Sequence, residues 1–313
     1  MPKQTPPRDG DIGMPLPPEG LSVWATAQSA GPSQRKGRYV AESVKHPARM
    51  LPAIAAHAIT AYTEPGDLVF DPMSGIGTTL VEAIHLGRDA LGIEYEPRWA
   101  NIADANIAHA LTHGATGHAG IIRGDATRMT DLLPQVLHGT VALVVTSPPY
   151  GPTVHGQVRP SATDGVIKSD FRYGEDKGNL AFRDLGGLID GFTDILRGAY
   201  TLLRPGGVAV VTARPWRKRG ELVDLPSAVI GAGVAAGFVP LERCVALLAA
   251  VRDGGLLARP SFFQLQQVRR ARSEGVPMHL IAHEDVLVLL KLGGQDTDNP
   301  AAGTGERAGG VRD

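Results

Sequence analysis

Pro148 and Pro149 stand side by side directly after the apolar run Val141-Ala142-Leu143-Val144-Val145. That run is short, uncharged and rich in β-branched residues, which predicts a buried strand. Consecutive prolines fix two φ angles and remove two backbone donors, so neither ladder nor helix continues past Thr146-Ser147. The strand must end there and present a stiff segment, Thr146-Ser147-Pro148-Pro149-Tyr150, at its carboxyl end. Carbonyl acceptors, a hydroxyl and an aromatic face gathered in five residues suit a planar ring carrying an exocyclic amino group. A proline turn with Tyr150 packed on the core accounts for the same residues equally well, so the rest of the chain has to decide.

The preceding residues repeat the theme of a short apolar strand closed by polar residues. Leu68-Val69-Phe70 runs into Asp71-Pro72-Met73-Ser74-Gly75-Ile76-Gly77-Thr78-Thr79, and a helix from Leu80 to His85 follows, capped by Gly87. Gly75 and Gly77 let a backbone approach a ligand with no Cβ in the way. A third glycine and a Gly-Lys-Ser/Thr sequence are both missing, so the turn is neither a dinucleotide fingerprint nor a phosphate loop. Ala90-Leu91-Gly92-Ile93 ends on Glu94, about 20 residues past the glycine turn, where an acidic side chain can grip a ribose diol. A helix is predicted from Pro97 through Leu111; Ile121-Ile122 then leads to Asp125, placed to accept from an adenine amino group. Capping or a solvated turn would explain either carboxylate alone, but not their placement at successive strand ends. Upstream, Lys45-His46-Pro47-Ala48 opens a helical pattern with Pro47 in the first turn.

At 313 residues and 43% hydrophobic, the chain can bury one large core. Residues 38–292 form the expected domain. Residues 1–37, rich in Pro, Gly, Ser and Gln, read as a flexible arm that Leu21, Val23 and Trp24 could still pin down, and residues 293–313 as a disordered tail. No apolar run approaches the ~20 residues of a membrane span, and the first residues lack a signal-peptide core, so a cytoplasmic protein with no membrane partner is expected. The single cysteine, Cys244, excludes an internal disulfide and a cysteine-based zinc cluster, and His279 with His283 lacks further ligands, so no metal site is expected.

The net charge of −1 requires any nucleic-acid contact to come from local patches. Arg214, Trp216, Arg217, Lys218 and Arg219 follow another buried strand, Val208 to Thr212, and make one such candidate. Residues 254–278 make another, with Arg269, Arg270 and Arg272 among several glutamines, side chains that read base edges. Residues 151–183, with Phe171, Arg172, Tyr173 and Lys177, are too long for a connector and suit a lid over the site. Solvated surface, a packed surface helix and a plain insertion are the respective alternatives.

Taken together, His46-Pro47, the Asp71–Thr79 turn, Gly92-Ile93-Glu94, Gly124-Asp125 and Thr146–Tyr150 resemble the amino-group DNA methyltransferases. The order here, cofactor motifs before Ser-Pro-Pro-Tyr, is similar to the gamma arrangement of that family. The resemblance implies a Rossmann-like, doubly wound α/β fold: a mostly parallel seven-stranded sheet with helices on both faces. It implies S-adenosylmethionine as cofactor, held by His46, Pro47, Asp71, Pro72, Ser74, Gly75, Gly77, Thr78, Thr79, Glu94 and Asp125. It makes Ser147, Pro148, Pro149 and Tyr150 the catalytic motif, and DNA the partner.

Ser147 stands where adenine-specific members carry Asp or Asn, which favours the N4 of a flipped-out cytosine over the N6 of adenine. An aromatic amine is a poor nucleophile; hydrogen bonds to the Ser147 hydroxyl and Pro148 carbonyl would orient its protons and free its lone pair. Methylation at cytosine C5 would need a nucleophilic cysteine, and Cys244 sits in an apolar strand-like run. The rivals are adenine-N6 methylation, tRNA or rRNA guanine-N2 methylation, and a non-catalytic cofactor-binding regulator. A restriction endonuclease, where present, would be a separate chain.

Overall fold

The computed structural model describes residues 20–149, 157–161, 165–169, 173, 174, 176, 178–218, 221–260 and 262–293. Its first half comprises β1 (Val23–Trp24), α1 (Gly31–Arg35), α2 (Pro52–Tyr62), β2 (Leu68–Asp71), α3 (Thr78–His85), β3 (Asp89–Glu94), α4 (Pro97–Thr112) and β4 (Ala119–Arg123). Next come α5 (Met129–Leu132), β5 (Val141–Thr146), β6 (Gln157–Ser161), β7 (Gly165–Ser169), α6 (Leu185–Leu202) and β8 (Leu203–Ala213). The remainder is β9 (Trp216–Lys218), β10 (Glu221–Val223), α7 (Leu225–Ala235) and β11 (Val239–Leu247), then β12 (Ala249–Arg252), β13 (Gly255–Ala258), α8 (Phe262–Ser273) and β14 (His283–Leu290).

Eight strands form the main sheet in the order β1-β11-β14-β8-β5-β2-β3-β4. Only β14 runs antiparallel to its neighbours, β8 and β11. Every residue of β5 is buried, as its uninterrupted apolar run requires of a strand covered on both faces. Ile54, Ile59, Leu80, Ile84 and Ile107 of α2, α3 and α4 pack in one apolar cluster with Val69, Leu143 and Val210. Phe192, Leu196, Val229 and Ala232 of α6 and α7 pack in another with Phe70, Val144 and Ala209. Neighbouring residues of one strand thus feed opposite cores, which is the two-residue period of a pleated sheet. The chain winds outward from β2 through β3 and β4, then returns to the other side of β2 for β5 and β8. A crevice opens at the carboxyl ends of strands where the winding reverses, here between β2 and β5.

Three expectations change. The sheet has eight strands, not seven, because β1 adds in parallel to the edge of β11, pairing Trp24 with Ala246. Residues 20–37 are therefore docked and not a flexible arm: Trp24 is 2% exposed and stacks on His57 with ring centroids 4.2 Å apart. A Trp ring gains enough on burial to hold such a segment; residues 1–19 and the expected tail from 294 lie outside the described residues. The second change is in the helix predicted from His46-Pro47, which starts only at Pro52; Ala41–Lys45 forms a 3-10 turn instead. Proline at the first helical position needs no donor, but further inside it would clash with the carbonyl four residues earlier. Finally, the run Val239 to Val251, whose apolar character predicts a single strand, divides into β11 and a separate hairpin of β12 with β13.

Trp24→Ala should destabilise the fold by about 3 kcal/mol, measured as a lower urea midpoint at unchanged slope. A midpoint equal to that of the parent protein would show that β1 contributes nothing to the sheet.

Candidate active site

Two cavities of about 260 and 310 Å³ lie side by side along the carboxyl ends of β2, β3 and β5, and Met73 and Tyr173 line both. The first is bounded by Pro72, Glu94, Tyr95, Asp125, Thr127, Pro149 and Asn179. The second is bounded by His46, Pro47, Asp71, Ser74, Gly75, Thr78 and Thr79 on one side, and by Ser147, Pro148 and Arg214 on the other.

The glycine turn is fixed by its own hydrogen bonds. Ser74 N–H donates to Ile93 O at 2.9 Å, and Ser74 Oγ donates to Asp71 O at 2.8 Å. Gly75 N–H donates to Glu94 Oε2 at 2.7 Å, while Glu94 Oε1 accepts from Glu96 N–H at 2.8 Å. Gly75 has φ 56°, a left-handed conformation that favours glycine. A Cβ there would also come within 3.1 Å of His46 Nε2, and one at Gly92 within 2.1 Å of Ser74 Oγ. Gly77, also left-handed, does not line either cavity: its close neighbour is Ala103 Cβ, 3.2 Å from where a Cβ would stand. It serves the approach of α3 to α4.

Buried acids surround this turn. Asp71 accepts from Thr79 Oγ1 at 2.7 Å and from Met73 N–H at 3.0 Å. Burial pushes its carboxyl up to about 6, against the lowering by those donors. Burial likewise pushes Glu94 up to about 7, although two backbone donors favour its charged form. Both acids thus lie where a cationic or donor-rich ligand would stabilise their ionised forms. His46 is buried and its imidazole is pushed down to about 3 by desolvation and then by Arg49, so it is neutral at neutral pH. Asp125 takes Thr127 N–H and Thr127 Oγ1 on one oxygen, at 3.0 and 2.8 Å, and caps the following turn.

Parts of the expected lid and of the expected recognition region reach the site, joined by Trp99 and Glu284, which the sequence reading did not place there. Trp99 Nε1 donates to Tyr173 O at 2.6 Å, and the His46 ring meets both the Trp99 and Tyr173 rings edge-on. Asn179 Nδ2 donates to Glu96 Oε1 at 2.9 Å. A Cβ on Gly174 would fall 1.6 Å from Glu96 Oε1, so only glycine passes there. Part of the proposed lid is thus strapped across the end of β3. Arg259, Gln264 and Glu284 complete the far wall of the second cavity. Polarity gave Arg259 and Gln264 a weak signal; nothing in the sequence marked Asn179.

Of the described residues of the two proposed basic patches, Arg214, Arg259 and Gln264 line the second cavity. Trp216 packs against the core cluster under α6 and α7, so its ring is partly structural. Arg270 pairs with Glu274 at 2.9 Å, and Arg272 Nε donates to Met278 O at 2.9 Å; neither they nor Arg269 and Arg217 line the cavities, and the Lys218 side chain lies outside what is described. Tyr150, Phe171, Arg172, Lys177 and Arg219 lie outside the described residues. Cys244 is buried in β11, and its thiol is pushed up to about 11 by burial and then Glu242. Among the described residues no helix is long and apolar enough to cross a membrane.

The fold is α/β, with an acidic, glycine-lined crevice at the carboxyl ends of its strands. Residues 15–105 match the family described as DNA methylase (N6_N4_Mtase). The chain is 37% identical over 70 residues to the type II methyltransferase M2.LlaDCHI of Lactococcus lactis subsp. cremoris, covering 22% of this chain and 26% of that protein. It is 30% identical over 112 residues to the tRNA (guanine(10)-N2)-dimethyltransferase of Methanocaldococcus jannaschii, covering 34% and 30%. The chain thus spans less than a third of the length of either relative. Among solved structures, TrmN from Thermus thermophilus superposes with a TM-score of 0.49 at 18% identity, over 83% of this chain and 53% of that one.

Asp71 and Glu94 hold protons in the folded chain at pH values where they have lost them in the unfolded chain. These two acids therefore take stability away as pH rises through the window from about 4 to about 7, while His46, held neutral, gives some back up to about pH 6.5. Between pH 5 and pH 7.5 the melting temperature of ligand-free Glu94→Gln should shift upward by a few degrees relative to the shift of the parent protein. An unchanged slope in Glu94→Gln would contradict the assignment.

Proposed function

We propose that this chain is an S-adenosylmethionine-dependent methyltransferase acting on an exocyclic amino group of a DNA base, with cytosine N4 the favoured position. One observation carries the reading: Ser147 and Pro148 line the same cavity as Asp71, Ser74 and Gly75. An amine held by the first pair meets, within one enclosure, whatever the glycine turn holds. The residues present suit the cofactor: the left-handed Gly75 leaves room for close backbone approach, and buried acids suit a ligand rich in donors and positive charge.

The cofactor supplies an electrophilic methyl group on a sulfonium. The chain's own part is positioning. Glu94 accepts from ribose hydroxyls, Asp125 from the adenine amino group, and His46-Pro47 with Ser74 encloses the methionine end. The Ser147 hydroxyl and Pro148 carbonyl accept hydrogen bonds from the two amine N–H groups, which directs the lone pair toward the glycine turn. Tyr150, on this reading, stacks on the extruded base. Serine in place of an acid at 147 favours cytosine, as does the likeness to a type II methyltransferase for DNA over RNA. The partner is then DNA, any restriction endonuclease being a separate chain, and the place of action is the cytoplasm. The tRNA methyltransferase relative keeps guanine N2 as the second reading, together with Pro148-Pro149-Tyr150-Gly151.

Transfer of labelled methyl to unmodified DNA and to tRNA, followed by nucleoside digestion and chromatography, separates these readings. N4-methyldeoxycytidine is expected. N6-methyldeoxyadenosine would move the specificity, N2-methylguanosine in tRNA would replace the substrate, and no transfer to either would leave a cofactor-binding regulator. Ser147→Ala should lower kcat about 100-fold with little change in cofactor KM; an equal loss in cofactor affinity would place Ser147 in the donor site instead.

A further inference from the structure

Beside the mouth of the second cavity stands a hairpin that the proposed chemistry does not use. Strands β12 and β13 pair Val251 with Leu256 and Ala250 with Leu257 across the turn Asp253-Gly254. Both turn residues have positive φ, 49° and 76°, the geometry of a tight two-residue hairpin loop. Its root is anchored: Ala249 and Ala250 are fully buried, and Leu248 N–H donates to Ala282 O at 2.8 Å. Leu248 before it and Arg259 after it both line the cavity that Ser147 lines. Arg259 also reaches Ala27 O at 3.3 Å and Gln28 O at 3.4 Å, which ties the hairpin's end to the docked N-terminal segment.

Its outer part is the opposite. Leu256 is 60% exposed, and Val251 and Leu257 are each 51% exposed. Cross-strand pairing puts Val251 and Leu256 on one face and Leu257 on the other, so the hairpin is apolar on both faces just below its polar turn, Arg252-Asp253-Gly254-Gly255. Single exposed aliphatics need no explanation, but an exposed hairpin clad in them does. Residues 249–274 contain five arginines against one aspartate and one glutamate, Glu274 being paired with Arg270, in a chain of net charge −1. An apolar shaft with an excess of arginine beside it fits a polyanion whose interior is apolar and stacked, which describes a nucleic-acid duplex.

Resting on the methyltransferase reading, we propose that the β12–β13 hairpin is the wedge that enters the duplex beside the target and fills the space an extruded base leaves. Leu257 lies two residues from Arg259, roughly 7 Å along the strand, so the wedge and the cavity that receives the base belong to one continuous wall. The hairpin acts as a positioning element: Leu256 and Leu257 contact the duplex, and neither touches the reacting atoms.

The test uses the full chain. The methylated site is first read from the wild-type reaction on genomic DNA. Matched duplexes of that site are then compared with duplexes mismatched opposite the target base, where extrusion is already easy. The doubly substituted L256A/L257A protein should methylate the matched duplex more slowly by on the order of tenfold, recover to near the wild-type rate on the mismatched one, and leave cofactor binding unchanged. L256M/L257M should behave as wild type. Equal rates on matched DNA, or an equal loss on both duplexes, would overturn the wedge while leaving the methyltransferase reading intact. So would a wild-type dimer that the alanine variant dissociates in sedimentation, since the hairpin would then pair two copies. A wild-type chain that methylates no DNA would remove the functional reading, and the wedge with it.

Discussion

The carboxylate of Glu94 joins three parts of the molecule. One oxygen accepts the Gly75 N–H of the turn after β2, and the other accepts the Glu96 N–H at the start of α4. A buried acid costs several kcal/mol unless its charge is met by donors, so this pair of bonds fixes the two loops relative to one another. Glu96 then passes the constraint on, through Asn179 and the bare backbone of Gly174, to the strap that crosses the site. The shape of both cavities follows from these few contacts.

The electrostatics follow from the same burial. Asp71 and Glu94 sit next to left-handed backbone and a neutral His46, with no buried cation described against them. Their raised pKa values express burial, which the hydrogen-bond donors present offset only in part. On the proposed function, that shortfall is the source of affinity: hydroxyl donors and a cationic centre are welcomed where water has been excluded. On the same proposal, Ser147 and the backbone at Pro148, which share a cavity with Asp71, would accept hydrogen bonds from the amine and add no charge of their own.

Much of this was legible because local chemistry forces it. Asp71, Glu94, Asp125 and Ser147 each follow an apolar run too short for anything but a strand, and all four line the crevice. Gly75 was readable as a close approach, whereas Gly77 was not separable from it by sequence, since packing on Ala103 depends on where α4 lies. The docking of Trp24 was underestimated because Pro, Gly and Ser composition dominates residues 1–37, and a two-residue strand has no period to detect. Pro52 was passed over as a helix start because apolar spacing extends upstream of it. Asn179, Arg259 and Glu284 reach the site through tertiary contacts spanning 80 residues or more, beyond any local pattern.

Titration of S-adenosylmethionine into the purified chain, followed by calorimetry, tests the central claim most directly. Saturable binding of one molecule per chain is predicted, weakened at least about tenfold by Glu94→Ala, which removes a charged acceptor. Absence of binding, or binding indifferent to Glu94, would contradict the account.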